Sequence, residues 1–274
     1  MSRRDFLLVS GAMAGTSLLH PVTPIRAAAA TGEQPAKKSR IAMVGTGIRG
    51  IGMWGKSVVQ DYSKYVEFVG LCDINPGRVA LAKETMGVSC PTFTDFEQMM
   101  KETKPELLIV TTVDSTHDQF IIRGMESGAD VIVEKPMTID EIKMQKIIDA
   151  EKRSGKKCRV TFNYRYSPHR VKMWELLREG EIGELTSIDF HWYLDTSHGA
   201  DYFRRWHRLV GKSGSLWVHK ASHHFDLLNW WIDSDPESVY ALGELNFYGK
   251  NGPFRAENCR SCPHTSKCKF YFDI

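Results

Sequence analysis

The chain of 274 residues is 42% hydrophobic and 25% charged, proportions typical of a globular protein with a buried core. Its net charge is +3, and residues 1–30 supply +2 of this, since Arg3, Arg4 and Arg26 are opposed there only by Asp5. The nearly neutral remainder gives no sign of a nucleic-acid partner, and no run of 18 apolar residues indicates a membrane-spanning helix.

The N-terminal segment has the pattern of an export signal. The pair Arg3-Arg4 precedes the apolar stretch Leu7–Leu19, and the alanines Ala27–Ala30 provide a cleavage site. Adjacent arginines are typical of a twin-arginine signal, a route that carries folded proteins and so suits an enzyme that acquires a nucleotide before export. We therefore expect a periplasmic or otherwise exported protein; an ordinary secretory signal and a cytosolic amphipathic start are the alternatives. The predicted ranges are 1–30 for the signal peptide and 31–38 for a linker.

A glycine-rich turn follows the first predicted strand, Arg40–Val44. It has the form G-x-G-x-x-G, and a helical stretch continues from it to about Gln60. This context is typical of dinucleotide binding: the first glycine permits the turn, the second lets the pyrophosphate approach, and the third lets helix and strand pack closely. The helix N-terminus supplies amide donors to the phosphates. The predicted cofactor contacts in the turn are Gly45, Gly47, Ile48, Arg49 and Gly50.

An acidic residue, Asp73, ends the second predicted strand, Val66–Cys72. A carboxylate at this distance from the turn accepts hydrogen bonds from the ribose and repels a 2′-phosphate, so NAD(H) is predicted over NADP(H). Arg78 weakens that preference, because a guanidinium could neutralise the phosphate. Asp73 could also cap the helix that begins at Asn75-Pro76, and both roles could hold.

Strands and helices then alternate along the chain. Alternation at this spacing indicates an α/β domain over 39–163, built on a Rossmann-type doubly wound parallel sheet. The remaining predicted elements are the strands Leu107–Thr111, Asp130–Val133 and Cys158–Phe162 and the helices His117–Ser127 and Ile139–Arg153.

Four further segments stand in a recognisable order. They are Thr111–His117, Val131–Thr138, Asn163–Tyr166 and Gly180–Glu184. Together with the glycine-rich turn, Asp73 and the tripeptide Glu134-Lys135-Pro136, they resemble the glucose–fructose oxidoreductase / inositol dehydrogenase (Gfo/Idh/MocA) family. The likeness extends from about Arg40 to Asp233.

The resemblance implies a second, substrate-binding domain over 164–274, an α+β open sheet. Ser238–Phe247 and Lys269–Ile274 are predicted strands of that sheet, and the chain is expected to stop before the sheet is complete. We expect a homo-oligomer once that domain is whole.

The resemblance places Lys135 at a strand end beside the nicotinamide. Removing a hydride from a secondary alcohol leaves a proton on its oxygen, so a cation or base must hold that hydroxyl. A lysine near a positively charged nicotinamide should have a lowered pKa; a surface lysine capping a turn is the alternative. The further cofactor contacts implied are Arg78, Thr112, His117, Glu134 and Asn163.

Two histidines complete the predicted catalytic group. Family members usually carry an aspartate and, four residues later, a histidine on a helix where this chain has His219 and His223. Residues four apart share a helix face, and an imidazole near its normal pKa exchanges protons at neutral pH, so His223 is the predicted acid/base. The missing aspartate leaves His223 without an orienting carboxylate. A metal-ligand pair and a core-facing pair are the alternatives.

Aromatic and basic residues near this helix are candidates for substrate contact. The stretches His191–His198 and Asp201–Arg208 interleave rings, which can stack on sugars, with cations that could hold a carboxylate or sulfate. For each arginine, a solvated basic turn is the alternative. The predicted substrate wall beside the two histidines consists of Lys220, His224, Trp217, Phe225, Trp230 and Trp231.

Three cysteines, Cys259, Cys262 and Cys268, form C-x2-C-x5-C with His264 between them. In an exported protein they could form disulfides, but the spacing also suits zinc, so no metal is assigned.

The leading hypothesis for function is NAD(H)-dependent hydride transfer to or from a hydroxyl of a sugar, sugar derivative or polyol. Export without an obvious route to recycle NADH, together with the altered position 219, favours a first alternative. In it, a sugar is oxidised transiently, its glycosidic bond is cut by elimination, and the hydride is returned. A non-catalytic sugar-binding protein with a structural nucleotide is the second alternative, and the presence of both Lys135 and His223 counts against it.

Overall fold

Six parallel strands form the centre of the first half of the molecule. They are β1 Ser39–Val44, β2 Val66–Cys72, β3 Thr92–Phe93, β4 Leu107–Val110, β5 Asp130–Glu134 and β6 Cys158–Thr161. Their order is β3-β2-β1-β4-β5-β6, so the chain reverses its direction across the sheet between β1 and β4. Doubly wound sheets bind nucleotides at that switch point. The computed structural model describes residues 37–273, and the predicted signal peptide lies outside the described residues.

Helices cover both faces of this sheet. They are α1 Ser57–Tyr62, which continues a π-helical segment Gly50–Lys56, α2 Pro76–Met86, α3 Phe96–Thr103, α4 His117–Glu126 and α5 Glu141–Ser154. Alternate residues of β1 point to opposite faces. Ile41 packs in a cluster with Val79 of α2, and Ala42 in a second cluster with Ile121 of α4 and Ile147 of α5. The predicted doubly wound sheet is therefore confirmed.

Side-chain caps explain where these helices begin. Asn75 accepts hydrogen bonds from the backbone of Gly77 and Arg78, while Asp95 and Asp140 each accept one from the third residue of their helix. The predicted bounds of α4 and α5 are correct to within two residues. The short pair β3 and α3 was not predicted.

The second half of the described chain consists of helices and irregular segments. The helices are α6 Pro168–Arg178, α7 Thr196–Arg204, α8 Val210–Ser213 and α9 Ser222–Ile232, and α9 follows directly on a π-helical turn, Trp217–Ala221. Helix α9 packs on α6, where the Trp231 indole donates to the carbonyl of Arg170 over 3.2 Å. Within residues 37–273, no helix is long and apolar enough to cross a membrane.

Two predicted strands of the second half are wrong. Residues 238–247 and 269–273 form no strand, since neither stretch pairs with another segment among the described residues. A β-strand requires a partner for its backbone groups. Three apolar side chains of the first stretch stay largely exposed: Val239, Tyr240 and Leu242.

Candidate active site

The glycine-rich turn has the geometry that a dinucleotide needs. Gly45 has φ +90°, and a Cβ there would lie 2.6 Å from the backbone of Thr111 on the neighbouring strand end. A Cβ on Gly50 would lie 2.5 Å from the carbonyl oxygen of Gly45. A Cβ on Gly47 would meet nothing within 4 Å, so the open side of the turn leaves room for a phosphate. These contacts match the three roles predicted for the glycines, and the turn fits a pyrophosphate.

Asp73 holds this turn from the end of β2. Its Oδ2 accepts hydrogen bonds from the backbone N–H and the hydroxyl of Thr46, at 2.8 and 3.1 Å, and its Oδ1 accepts one from the N–H of Asn75. The helix cap is Asn75 and not Asp73, so that alternative for Asp73 is wrong. Arg78, in the first turn of α2, is exposed.

Glu134 joins the end of β5 to the glycine-rich turn. Its Oε1 accepts hydrogen bonds from Arg49 Nε and Trp54 Nε1, both at 2.9 Å. Glu134 is 6% exposed, whereas Ile48 is 82% exposed on the same turn. Arg49 and Glu134 thus fix the turn relative to β5, and Ile48 is free to contact a ligand.

His117 connects the loops that follow β4 and β5. Its Nδ1 lies 2.9 Å from the carbonyl oxygen of Pro136, and its Nε2 lies 3.1 Å from that of Thr112. His117 is only 1% exposed, so it connects the loop after β4 to the loop after β5, which contains Lys135, and has no accessible surface for a ligand. The predicted contact Asn163 lies in a 3-10 turn just after β6, and its buried Oδ1 has no hydrogen-bond partner among residues 37–273.

Lys135 reaches from the end of β5 to the helical segment that carries the histidines. Its Nζ donates to the backbone carbonyl oxygen of His219 over 2.6 Å. Burial lowers the pKa of Lys135, and the neighbouring carboxylates of Asp114 and Glu134 oppose that shift. The predicted low pKa of this lysine therefore has burial as its main cause.

Asp114 is a site residue that the sequence interpretation missed. It follows β4 at the same edge of the sheet, and its Oδ2 lies 2.5 Å from Nδ1 of His219. Burial raises the pKa of Asp114, while the positive charge of Lys135 lowers it. Its position directly after a buried strand is the signal that could have drawn attention to it, since ligands bind where parallel strands end.

His223 lies in a different environment from the one predicted. Its ring stacks on Tyr164 with centroids 3.9 Å apart and an interplanar angle of 6°, and its buried Nδ1 has no hydrogen-bond partner in the described part of the chain. Burial and the charges of Lys135 and Lys220 lower its pKa to about 2, so the expected near-normal pKa is wrong. His223 is a neutral imidazole at physiological pH.

Lys220 and Tyr164 form a second polar contact beside His223. The buried Lys220 Nζ donates to Tyr164 Oη over 2.9 Å. Trp192 also stacks on the ring of Tyr164, and the guanidinium of Arg170 lies 4.5 Å from the centroid of the Tyr164 ring. Tyr164 and Trp192 are therefore the rings that accompany His223.

The predicted aromatic wall does not surround the two histidines. Trp230 stacks on Trp174 of α6, Trp231 donates to α6, and the half-exposed Trp217 and Phe225 stack on each other. Trp230 and Trp231 therefore contribute to packing between α9 and α6. The rings in contact with His219 are Tyr202, Trp206 and His207.

Two cavities lie near these residues. A wide groove of about 1600 Å³ is lined by Ile48 of the glycine-rich turn and by Phe203, Arg205 and Arg208 of the predicted substrate stretch. A smaller cavity of about 150 Å³ is lined by His219 and its aromatic neighbours, but not by Lys135 or His223. Lys135 lowers the pKa of both histidines, which places the three groups in one electrostatic neighbourhood without a shared cavity.

The cysteine cluster shows no metal-site geometry. Cys259, Cys262 and Cys268 are free thiols, and among residues 37–273 no three metal-ligating side chains come together. His219 and His223 likewise form no metal-ligand set in this part of the chain, since one bonds to Asp114 and the other stacks on Tyr164.

Comparison with known proteins identifies the family. Residues 39–162 match the Gfo/Idh/MocA model of the oxidoreductase family, NAD-binding Rossmann fold, and residues 174–268 match the family's C-terminal alpha/beta domain. The chain belongs to the Gfo/Idh/MocA oxidoreductase family. The expected NAD-binding domain is thereby confirmed, and the predicted domain junction at 163/164 falls between the two matched stretches.

Among individual relatives, the Bacillus subtilis protein YteT, named as an oxidoreductase, is 40% identical over 84% of this chain and 56% of its own length. Inositol 2-dehydrogenase/D-chiro-inositol 3-dehydrogenase of Lactiplantibacillus plantarum is 26% identical over 70% of this chain and 53% of its own. The chain thus spans about half the length of the curated relatives it matches.

A solved structure shares the fold. It is the WlbA dehydrogenase of Bordetella pertussis in complex with NADH and UDP-GlcNAcA, with a TM-score of 0.63 and 21% identity over 72% of this chain and 57% of that one. At this identity the likeness shows a common architecture.

Proposed function

We propose that this chain belongs to an NAD(H)-dependent dehydrogenase that acts on a hydroxyl of a sugar or polyol. The observation that carries the proposal is the partly buried ammonium of Lys135 at the carboxyl end of β5, which donates a hydrogen bond to the helical segment that carries His219. This contact joins the nucleotide edge of the sheet to the second half of the chain.

The residues around that contact have the properties that alcohol oxidation requires. Bound NAD⁺ would accept the hydride, and the turn from Gly45 to Gly50, with Asp73 behind it, would hold the nucleotide. Lys135, as a cation, would stabilise negative charge that develops on the substrate oxygen. The imidazoles of His219 and His223 are neutral, because burial lowers their pKa values to about 3 and about 2. Each has a lone pair for a proton, but a neighbouring carboxylate is needed to offset the charge of the imidazolium that forms.

The groove supports a carbohydrate as the substrate. Phe203 and Tyr248 stack in parallel with centroids 4.7 Å apart, and both line the groove together with Ile48 of the nucleotide turn. Aromatic faces suit the apolar faces of sugar rings, and the nearby Arg205 and Arg208 suit hydroxyls or an acidic substituent. The inositol dehydrogenase relative acts on a polyol, in agreement with this choice.

The test is a spectrophotometric assay of the purified chain with NAD⁺ and a panel of polyols, neutral sugars and uronic acids. We expect NADH to accumulate with at least one compound, and the Lys135→Ala variant to lose that activity. Cleavage of aryl glycosides without net NADH would instead support transient oxidation followed by elimination. NAD binding with neither reaction would contradict the proposal.

We also propose export by the twin-arginine route. The support is the pair Arg3-Arg4 before the apolar stretch, and the fit between a folded-protein exporter and an enzyme that takes up its nucleotide in the cytoplasm.

A further inference from the structure

The nucleotide domain holds His219 at two points. The backbone oxygen of His219 accepts a hydrogen bond from Lys135 at 2.6 Å, and its Nδ1 lies 2.5 Å from Oδ2 of Asp114. The side chains of His219 and Asp114 are 12% and 5% exposed. Because both side chains are buried, this hydrogen bond holds the imidazole in one orientation, which is set by Asp114, 105 positions earlier in the chain.

This contact decides which ring nitrogen is free. An ionised carboxylate has only acceptor atoms, so a hydrogen bond to Asp114 requires the hydrogen on Nδ1 of His219 and leaves the lone pair on Nε2. Within residues 37–273, Nε2 has no hydrogen-bond partner, and His219 lines the small cavity. Phe203 and Arg208 line both this cavity and the wide groove proposed for the substrate, so the two adjoin. Burial raises the pKa of Asp114 to about 7, although the positive charge of Lys135 lowers it, so the ionised form that this arrangement needs predominates above about pH 7.

We infer that His219, oriented by Asp114, is the base that takes the proton of the substrate hydroxyl. Asp114 is then a positioning residue. Family members usually have an aspartate where this chain has His219, and Asp114 supplies a carboxylate next to that position from another part of the chain. The inference rests on the proposed dehydrogenase function. With NAD⁺ bound, which would accept the hydride of the carbinol carbon, the O–H bond of the substrate would break, its proton would pass to Nε2 and the carbonyl would form; reduction would run these transfers backwards.

The environment of His223 makes it the weaker candidate. Its ring lies flat against Tyr164, and among residues 37–273 its Nδ1 has no hydrogen-bond partner and no carboxylate is paired with the ring. A base that becomes an imidazolium in a buried site gains from an adjacent carboxylate, because the carboxylate offsets the new charge. Only His219 has that partner.

The first test reads the tautomer directly. Nitrogen-15 NMR of the histidine-labelled chain, without nucleotide, should show the His219 hydrogen on Nδ1. In Asp114→Asn, the new amide can donate to Nδ1, so the hydrogen should move to Nε2. The matched control is Asp118→Asn, which removes a buried carboxylate that pairs with Lys143 at 2.7 Å, and it should leave the tautomer unchanged.

The second test reads turnover with the compound found in the panel. Asp114→Asn should lower kcat by about 10² to 10⁴, with KM and NAD affinity within about threefold of the parent. His219→Gln should lose as much, and the double variant no more than either, because the two residues act as a unit. Thermal melting of each variant checks folding independently.

The outcomes separate the two proposals. A native His219 with its hydrogen on Nε2, or an Asp114→Asn variant with full turnover, would overturn the assignment of the base even if the dehydrogenase function holds. Failure of every compound to reduce NAD⁺ would overturn the dehydrogenase function, and the NMR result would still decide whether Asp114 orients His219.

Discussion

Two glycines of the same turn should respond to alanine in opposite ways. A Cβ at Gly50 would lie 2.5 Å from the carbonyl oxygen of Gly45 and 2.7 Å from the Thr111 hydroxyl, so backbone must move. A Cβ at Gly47 would meet nothing within 4 Å, so the free protein should accept it. In the bound protein, that methyl group would occupy the side of the turn that the pyrophosphate approaches.

The magnitudes follow from these distances. Overpacking against backbone costs about 1–3 kcal/mol, so Gly50→Ala should lower Tm by roughly 2–12 °C in a protein of this size. Gly47→Ala should leave Tm unchanged or slightly raised, because alanine restricts the unfolded chain. Its dissociation constant for NAD should rise at least about tenfold, the equivalent of about 1.4 kcal/mol.

Thermal melting without nucleotide and calorimetric titration with NAD measure the two effects separately. Unchanged NAD affinity in Gly47→Ala would refute the placement of the pyrophosphate on the turn. An unchanged Tm in Gly50→Ala would show that the turn relaxes at little cost, and would refute the close-packing role of that glycine.

Three other outcomes are expected. Asp73→Ser should weaken NAD binding and narrow the gap to NADP, as measured by titration with both nucleotides; equal or better NADP affinity in the parent protein would contradict this role. Changing Arg3 and Arg4 to lysine should leave unprocessed precursor in the cytoplasm, and normal levels of mature periplasmic protein would count against the twin-arginine route. The pKa values of His219 and His223 are lowered, mainly by burial, to about 3 and about 2, so the unfolded chain binds more protons at these residues below pH 6.5. Burial raises the pKa of Asp114 to about 7, which offsets part of this effect. Tm should fall between pH 7 and pH 5, and a Tm that rises over this range would contradict the burial of both neutral rings.

Much of the nucleotide site could be predicted because its determinants are local. The glycine-rich turn follows its strand directly, and Asp73 and Lys135 each end a strand, so the periodicity of the strands places all three at one edge of the sheet. Asp114 lies at the same edge, but its role depends on a contact with His219 across 105 residues that no local pattern encodes.

The second half of the chain was harder to predict, because its strand pairing and side-chain packing depend on segments that lie far apart in the sequence. Residues 238–247 were predicted as a strand of the second sheet, yet no segment of the described chain pairs with them. Trp230 and Trp231 were predicted to form part of a substrate wall, but both pack on α6. Apolar rings on a helix can contact either a substrate or a neighbouring helix, and the sequence alone does not distinguish the two. The low pKa of His223 depends on burial beside Tyr164, which sequence spacing cannot reveal.

The central claim is that hydride passes between a substrate carbon and NAD under the control of Lys135. A single-turnover reaction of the protein and NAD⁺ with the active compound, deuterated at its carbinol carbons, tests this by mass spectrometry of the nucleotide. We predict deuterium in the NADH formed, at a rate about 10² to 10⁴ lower in Lys135→Ala while NAD binding is retained. Consumption of the compound without deuterium in the nucleotide, or an equal rate in Lys135→Ala, would contradict the claim.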